Sequence, residues 1–377
     1  MAPKRRKPFF IRGTYFDYPS LFFILFLVFF GVMMVYSSSA FVSYRLFNNN
    51  THYLFRQIFF GMLGIMVMFG VSKIRYQVLR RFSYIGVLGI AILLIIVLIG
   101  GQSVNGSSRW INLGFISFQP SEIAKIVVVL YMAYICSEKP ELLRSIKGTV
   151  IAFAPAAGVV ILIAIENLST AIICALIAGG IWFVATPKMK YVVVMLVVGV
   201  LFVIVMISMQ GYRGERIQAW RNPEASSSGF QTLQGLYAIG SGGLFGRGLG
   251  QSIQKMGNIP EAQNDMIFSI ICEELGIVGA VGLILVFVML IWRFRFIAEG
   301  APDRYGSLIV IGVISHLAFQ VLINMFVVTN LMPNTGVPLP FISYGGTSLV
   351  FLLIEMGIVL AVSRQIEPLG SEEENEA

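Results

Sequence analysis

The side chains able to do chemistry in this chain fall in three polar segments set between long apolar runs. The largest, Gly211 to Asp265, is Gly-rich and closes on Pro260-Glu261-Ala262-Gln263-Asn264-Asp265, directly before the apolar Met266-Ile267-Phe268-Ser269-Ile270-Ile271. A multispanning chain that keeps one large loop with a carboxylate at the lip of a helix places its chemistry there; Asp265 at that spot equally suits a helix N-cap. The second segment runs Ser107-Ser108-Arg109-Trp110-Ile111-Asn112-Leu113-Gly114 and continues as Gln119-Pro120-Ser121-Glu122-Ile123-Ala124-Lys125. Pro120 fits a first helical turn. Glu122 and Lys125, three apart, share one face, and neither charge faces lipid cheaply. They point into the bundle, as a structural ion pair or as part of a substrate site.

The third segment, Met332 to Thr347, holds Pro333, Pro338, Pro340 and Gly345-Gly346. Irregular backbone of this kind persists at membrane depth only where protein or a watery cavity covers it. Within the large loop, Arg213 to Pro223 is basic and aromatic, suited to a headgroup surface. The glycines between Gly240 and Gly250 permit left-handed turns and expose N–H groups to an anion, but they do not spell G-x-G-x-x-G, so no nucleotide fold is implied. His316 and Glu355 stand alone in apolar runs and read as helix-packing residues; His52 gives no usable signal.

The elements that must carry these segments are membrane helices. Hydrophobic residues make up 57% of the 377, charged residues 12%, and the mean hydropathy is +0.82, far from a soluble domain. Apolar runs of about 18 residues or more, enough to cross ~30 Å of hydrocarbon, recur near 19–41, 54–72, 82–100, 119–136, 148–165, 168–186, 190–209, 266–294, 306–331 and 344–363. The expected fold is therefore all-α, with about ten transmembrane helices and a large extracytoplasmic loop between spans 7 and 8. A β-barrel is excluded, because the runs are continuous rather than alternating. Most of the 27 basic residues fall on one side, among them Lys73, Arg75, Arg80, Arg81, Lys139, Arg144, Lys147, Lys188, Arg293, Arg295, Arg304 and Arg364. The positive-inside rule then puts both termini in the cytoplasm and the 211–265 loop outside. A basic segment, 1–18, led by Lys4-Arg5-Arg6-Lys7, reads as an anchor to anionic lipid rather than a nucleic-acid site; residues 19–364 form the membrane domain, and 365–377 an acidic cytoplasmic tail. The first run is long for a signal-peptide core and reads as a retained span. Cys136, Cys174 and Cys272 lie in or beside spans without metal spacing and read as structural.

On Arg109-Trp110, Gln119-Pro120-Ser121-Glu122 with Lys125, Gly242-Gly243-Leu244-Phe245-Gly246, Pro260-Glu261 with Asp265, Glu273-Glu274-Leu275-Gly276, and Gly336-Val337-Pro338-Leu339-Pro340-Phe341 with Ser343-Tyr344-Gly345-Gly346, the chain resembles the SEDS family of bacterial cell-wall polymerases (shape, elongation, division and sporulation). The likeness runs from about Tyr18 to Arg364. Gln234 to Gly243 and Ala262 favour the division branch (FtsW-like) over the elongation branch (RodA-like). Two departures stand out: Gln263-Asn264 where members often carry His-Thr, and Asn167-Leu168-Ser169-Thr170-Ala171 where Asp-Leu-Gly-Thr-Ala is usual, so Asn167 takes no catalytic weight.

The resemblance implies a peptidoglycan glycosyltransferase that polymerises lipid II into β-1,4 glycan at the outer face of the bacterial plasma membrane during division. Asp265 would be the general base, and Arg109, Glu122, Lys125, Glu261, Arg247, Ser343 and Gly345 the substrate-binding residues. It further implies a divalent cation, Mg or Mn, though no dedicated ligand spacing is visible, and no organic cofactor. The implied partners are lipid II, a class B penicillin-binding transpeptidase and other division proteins, with no nucleic acid. The competing expectations are a lipid II flippase, which the crowding of polar motifs on one face disfavours, an elongation-specific polymerase, and a non-catalytic scaffold.

Overall fold

The computed structural model describes residues 16–366 apart from 101, 105–106, 113–116, 187–198, 200–210, 226–228 and 258. Among the described residues, eight helical segments are long and apolar enough to cross a membrane. They are α1 (Tyr18–Phe47), α2 (His52–Ser72), a segment Tyr76–Gly100 whose α-helical part is α3 (Ser83–Gly100), α4 (Pro120–Glu138), α5 (Ile146–Glu166) and α6 (Leu168–Ala185), followed after the loop by α9 (Ile267–Glu299) and α10 (Arg304–Val328). The last helix, α11 (Thr347–Ser363), is apolar but shorter, at 17 residues. Two short helices, α7 (Gly211–Arg221) and α8 (Phe230–Ser241), lie within the large loop. Each of these nine segments falls on an expected span. The expected seventh span, 190–209, lies outside the described residues except for Gly199, and the Lys4–Lys7 cluster and the Glu372–Glu376 run lie outside them entirely.

Local chemistry sets the helix ends. Asn167 ends α5 and its side chain accepts from Thr170 N–H at 3.2 Å to cap α6, so a single residue turns the chain between two spans. Ser145 caps α5 and Asp303 caps α10 in the same manner. Between α3 and α4 the chain forms a small antiparallel sheet, β1 (Gln102–Val104), β2 (Ser107–Asn112) and β3 (Ser117–Phe118), in the order β1-β2-β3. An all-α expectation misses it, because strands this short carry no alternating signature.

Polar contacts gather the helix ends into two groups. At one end Arg80 pairs with Glu138 and Asp303, both at 2.8 Å, Arg304 donates to Ala185 O, Arg293 pairs with Asp17, and Arg364 lies over the Phe16 ring. At the other end Gly257 of the large loop packs against Phe41 and Arg45, in the last turns of α1. The described chain ends and the large loop therefore occupy opposite ends of the bundle. Helix faces without bulky side chains close it. A Cβ on Gly64 of α2 would stand 2.5 Å from Leu353 Cδ1 of α11, and one on Gly357 of α11 would stand 2.7 Å from Met68 O. Small residues of this kind let membrane helices approach backbone to backbone.

The helix α9 is broken. Gly276 has φ 66° and ψ −167° inside it, and the Gly-rich loop inserts at the break. Arg247 N–H and Gly248 N–H donate to the carbonyls of Glu273 and Glu274, and Ile277 N–H and Val278 N–H donate to those of Gly243 and Leu244. The backbone groups freed by the break are thus paired by protein, as they must be at this depth. A Cβ on Gly276 would meet Gly246 N and Leu244 O at 2.4 Å, and one on Gly246 would meet Glu274 O at 2.2 Å. Gly276→Ala is therefore expected to cost at least about 2 kcal/mol, from the left-handed φ together with the clash. A thermal unfolding scan of the detergent-purified chain measures this; an unchanged midpoint would mean that the break tolerates a side chain.

Candidate active site

Asp265 does not cap α9. The helix begins at Ile267, its N-cap is Met266, and no side chain caps it. The capping expectation fails because the carboxylate turns toward the loop instead. Gln231 Nε2 of α8 donates to Asp265 Oδ1 at 3.2 Å. Asn324 Nδ2 of α10 donates to both Asp265 O and Val337 O, each at 2.8 Å, and so ties the residue to the Pro-rich segment. Asn334 Nδ2 reaches Gln231 Oε1 at 3.3 Å, Arg216 of α7 donates to Asn334 O at 3.2 Å, and Trp220 Nε1 donates to Asn330 O at 2.9 Å. Four elements are therefore tied together around half-buried Asp265, and Gln231 is the one whose side chain bonds the carboxylate. On its far side lies Gly336 (φ 67°), where a Cβ would stand 4.0 Å from Oδ2, in ordinary contact. Loss of hydration lifts the Asp265 carboxyl from the usual carboxylate range to about 6, and the nearby Glu261 carboxylate adds to the rise. A hydrogen bond from its own backbone, the Arg216 guanidinium and the Gln231 amide pull the other way.

One helical turn below Asn324, a buried polar chain crosses the bundle. Lys125 Nζ of α4 pairs with Glu122 Oε2 at 3.0 Å and donates to Gln320 Oε1 at 3.3 Å. Gln320 Oε1 also meets His316 Nε2 at 2.7 Å, and His316 Nδ1 meets Glu355 Oε2 of α11 at 2.6 Å. Gln320 Nε2 donates to Pro338 O at 2.9 Å, so this chain supports the segment that carries Gly336. His316 and Glu355 are thus partners of each other, which corrects their reading as lone residues: 39 positions of sequence hide a contact between adjacent helices. The expected Glu122–Lys125 pair is present and bonded to Gln320.

The other expected site residues divide. Glu261 (φ 49°) shares the loop with Asp265, is exposed, and accepts from Asn264 Nδ2 at 2.8 Å. Arg247 is drawn to buried Glu273, Nε to Oε1 at 3.7 Å, and belongs to the clasp at the break of α9. That clasp also holds Ser252 Oγ and Ile253 N–H on Glu273, and Lys255 Nζ and Ser37 Oγ on Glu274. Ser343 Oγ accepts from Leu339 N–H at 2.7 Å and Gly345 O accepts from Ser348 N–H, so both shape the turn before α11. The structure ties neither to Asp265 by a side-chain contact; Tyr344 N–H, bonded to Gln263 O at 2.9 Å, makes the link between the two loops. The backbone of Arg109 is in β2, and its side chain lies outside what is described. Residues not foreseen as site residues are Gln231, Asn324, Asn334 and Gln320, all neutral amides. Gln320 and Asn324, one turn apart in an apolar helix, were the one available signal. Among the described residues no three His, Cys, Asp or Glu side chains converge as a metal-ligand set.

Residues 19–367 match the FtsW/RodA/SpoVE family model, described as "Cell cycle protein". The chain is 40% identical over 343 residues to stage V sporulation protein E of Bacillus subtilis (strain 168), covering 89% of this chain and 93% of that relative. It is 35% identical over 364 residues to a probable peptidoglycan glycosyltransferase FtsW of Trichlorobacter lovleyi, covering 95% of each. Among solved structures, one described as "Structural coordination of polymerization and crosslinking by a peptidoglycan synthase complex" aligns with a TM-score of 0.80 at 27% identity, over 94% of this chain and 99% of that one. The rod shape determining protein RodA of Thermus thermophilus aligns with a TM-score of 0.70 at 26% identity, over 93% of this chain and 97% of that one.

Lys125→Met strands the Glu122 carboxylate and removes a donor to Gln320, and is expected to cost about 1–3 kcal/mol. Adding Glu122→Gln should return part of that loss, a coupling of about 0.5–3 kcal/mol for groups in one network. A double-mutant cycle on thermal or denaturant unfolding reads it; strictly additive losses would mean that the two charges act independently.

Proposed function

We propose, from the premise that this chain belongs to the FtsW/RodA/SpoVE family of cell cycle proteins and is a peptidoglycan glycosyltransferase, that Asp265 is the general base of glycan polymerisation from lipid II. The observation that carries this reading is the carboxylate itself: held on one oxygen by Gln231, with Gly336 beside the other, and raised to about 6. A base of that strength is ionised at neutral pH yet basic enough to accept a hydroxyl proton. The C4 hydroxyl of an acceptor sugar attacks the anomeric carbon of the donor, the new β-1,4 bond forms as the bond to the lipid pyrophosphate breaks, and the hydroxyl proton passes to Asp265 Oδ2. The pyrophosphate leaves as an anion and needs no acid, unlike the alcohol leaving group of a glycosidase. Arg216 supplies positive charge beside Asp265.

The site works at the outer face and both termini lie inside. The support for this is the basic belt of Arg80, Arg293, Arg304 and Arg364 at the end opposite Asp265. The division setting is supported by the FtsW-type relatives and by Gln234 to Gly243. A class B penicillin-binding transpeptidase is the proposed partner, supported by the likeness to a complex that couples polymerization to crosslinking.

Asp265→Asn keeps the shape and the Gln231 contact but cannot accept a proton; it is expected to leave the unfolding midpoint in place and lower polymerisation of labelled lipid II by at least about 100-fold. Long glycan product from the purified variant would remove the base. The unmodified enzyme should lose activity as pH falls through about 6, because its base is active only when deprotonated and its folded-state carboxyl titrates there. A pH–rate profile with no acid limb above pH 5 would contradict the assignment.

A further inference from the structure

Three amides form a one-directional chain that ends on the proposed base. Gly336 N–H donates to Asn334 Oδ1 at 3.0 Å, Asn334 Nδ2 donates to Gln231 Oε1, and Gln231 Nε2 donates to Asp265 Oδ1. A backbone N–H cannot reverse its role, so it fixes which way Asn334 faces, and Asn334 in turn fixes Gln231. Gln231 is thereby barred from presenting its carbonyl oxygen to the carboxylate. Its Nε2 also donates to Pro260 O at 3.3 Å, which ties the amide to the loop that carries Asp265. We propose that Gln231 is a positioning residue for the reaction: its amide fixes Asp265 Oδ1 and so leaves Oδ2, on the Gly336 side, as the oxygen that takes the proton of the incoming hydroxyl. This rests on the reading of Asp265 as the base.

The charges around Asp265 are Glu261 on its own loop and Arg216 on α7; α8 contributes Gln231, α10 the neutral Asn324 and the Pro-rich segment the neutral Asn334. A hydrogen bond to the ionised form favours that form, so the amide works with Arg216 against Glu261 and burial. Replacing it removes a donor while both charges stay.

The test uses the full-length chain in detergent or nanodiscs, with Gln231→Met and the isosteric Gln231→Glu, lipid II polymerisation as a function of pH, and infrared titration of the Asp265 carboxyl in ¹³C-aspartate-labelled protein. Asp265→Asn identifies the band by its loss. In both variants the acid limb should move to higher pH, further for Gln231→Glu, with a deficit about fivefold larger at pH 6 than at pH 8.5. The infrared midpoint should move the same way. A deficit equal at every pH together with a stationary band would overturn the proposal and leave Gln231 a structural residue. A band that moves under an unchanged pH profile would uphold the grip of Gln231 on the carboxylate and sink Asp265 as the base.

Discussion

A helix interrupted within a membrane protein must hand its unpaired N–H and C=O groups to other protein, because hydrocarbon offers none. The interruption of α9 at Gly276 meets that demand with the backbone of residues 243–248, and most of the outer architecture follows from it. The inserted loop brings Arg247, Ser252 and Lys255 to the two glutamates just before the break. The first part of α9, from Ile267, becomes a short rod about 13 Å long, clasped at its inner end and carrying Asp265 just ahead of its outer end. A continuous helix would leave those glutamates without the loop backbone that answers them.

The same economy governs the second irregular segment. Residues 333–346 are bound from several sides: Ser169 Oγ donates to Thr335 O, Asn324 and Gln320 donate to consecutive carbonyls, and Phe341 (φ 65°) lies so close to α1 that a Cβ on Gly31 would stand 2.3 Å from its oxygen. The stiffness given by three prolines is thus joined to side-chain amides that choose one arrangement. Charge follows the rule that membrane interiors impose: Lys125 faces Glu122, Lys255 faces Glu274, and His316 faces Glu355. None of these six side chains is left without a polar partner in the apolar interior.

Much of the fold was legible because a span needs only length and apolarity, and nine expected spans coincide with helices to within several residues at their ends. The sheet at 102–118 was not, since its strands are too short to alternate. At the site, Asp265 and the Glu122–Lys125 pair stood out as charges beside apolar runs. Gln231, Asn324 and Asn334 did not, because neutral amides are common in loops and helices and gain meaning only from what they touch. Asn324 is 59 positions from Asp265 and Gln231 is 34 away, distances no periodicity bridges. Ser343 and Gly345 lie in the turn before α11, which the prolines and the Gly-Gly pair already marked as irregular backbone. Glu273 and Glu274 entered only through the family motif, and their part in the loop clasp depends on Arg247, Ser252 and Lys255, which no periodicity links to them.

The polar chain under the site also settles a question of hydrogen placement. Gln320 Oε1 receives Lys125 while its Nε2 serves the Pro338 carbonyl, so its amide has one permissible sense: half a turn would set N–H groups against an ammonium and oxygen against oxygen. His316 therefore offers its Nε2 hydrogen to that oxygen, and its Nδ1 meets Glu355 Oε2 at 2.6 Å. A lysine on one helix thus sets which imidazole nitrogen on another must donate, and Gln320 Oε1 is the acceptor at which α4 and α10 meet in the middle of this bundle.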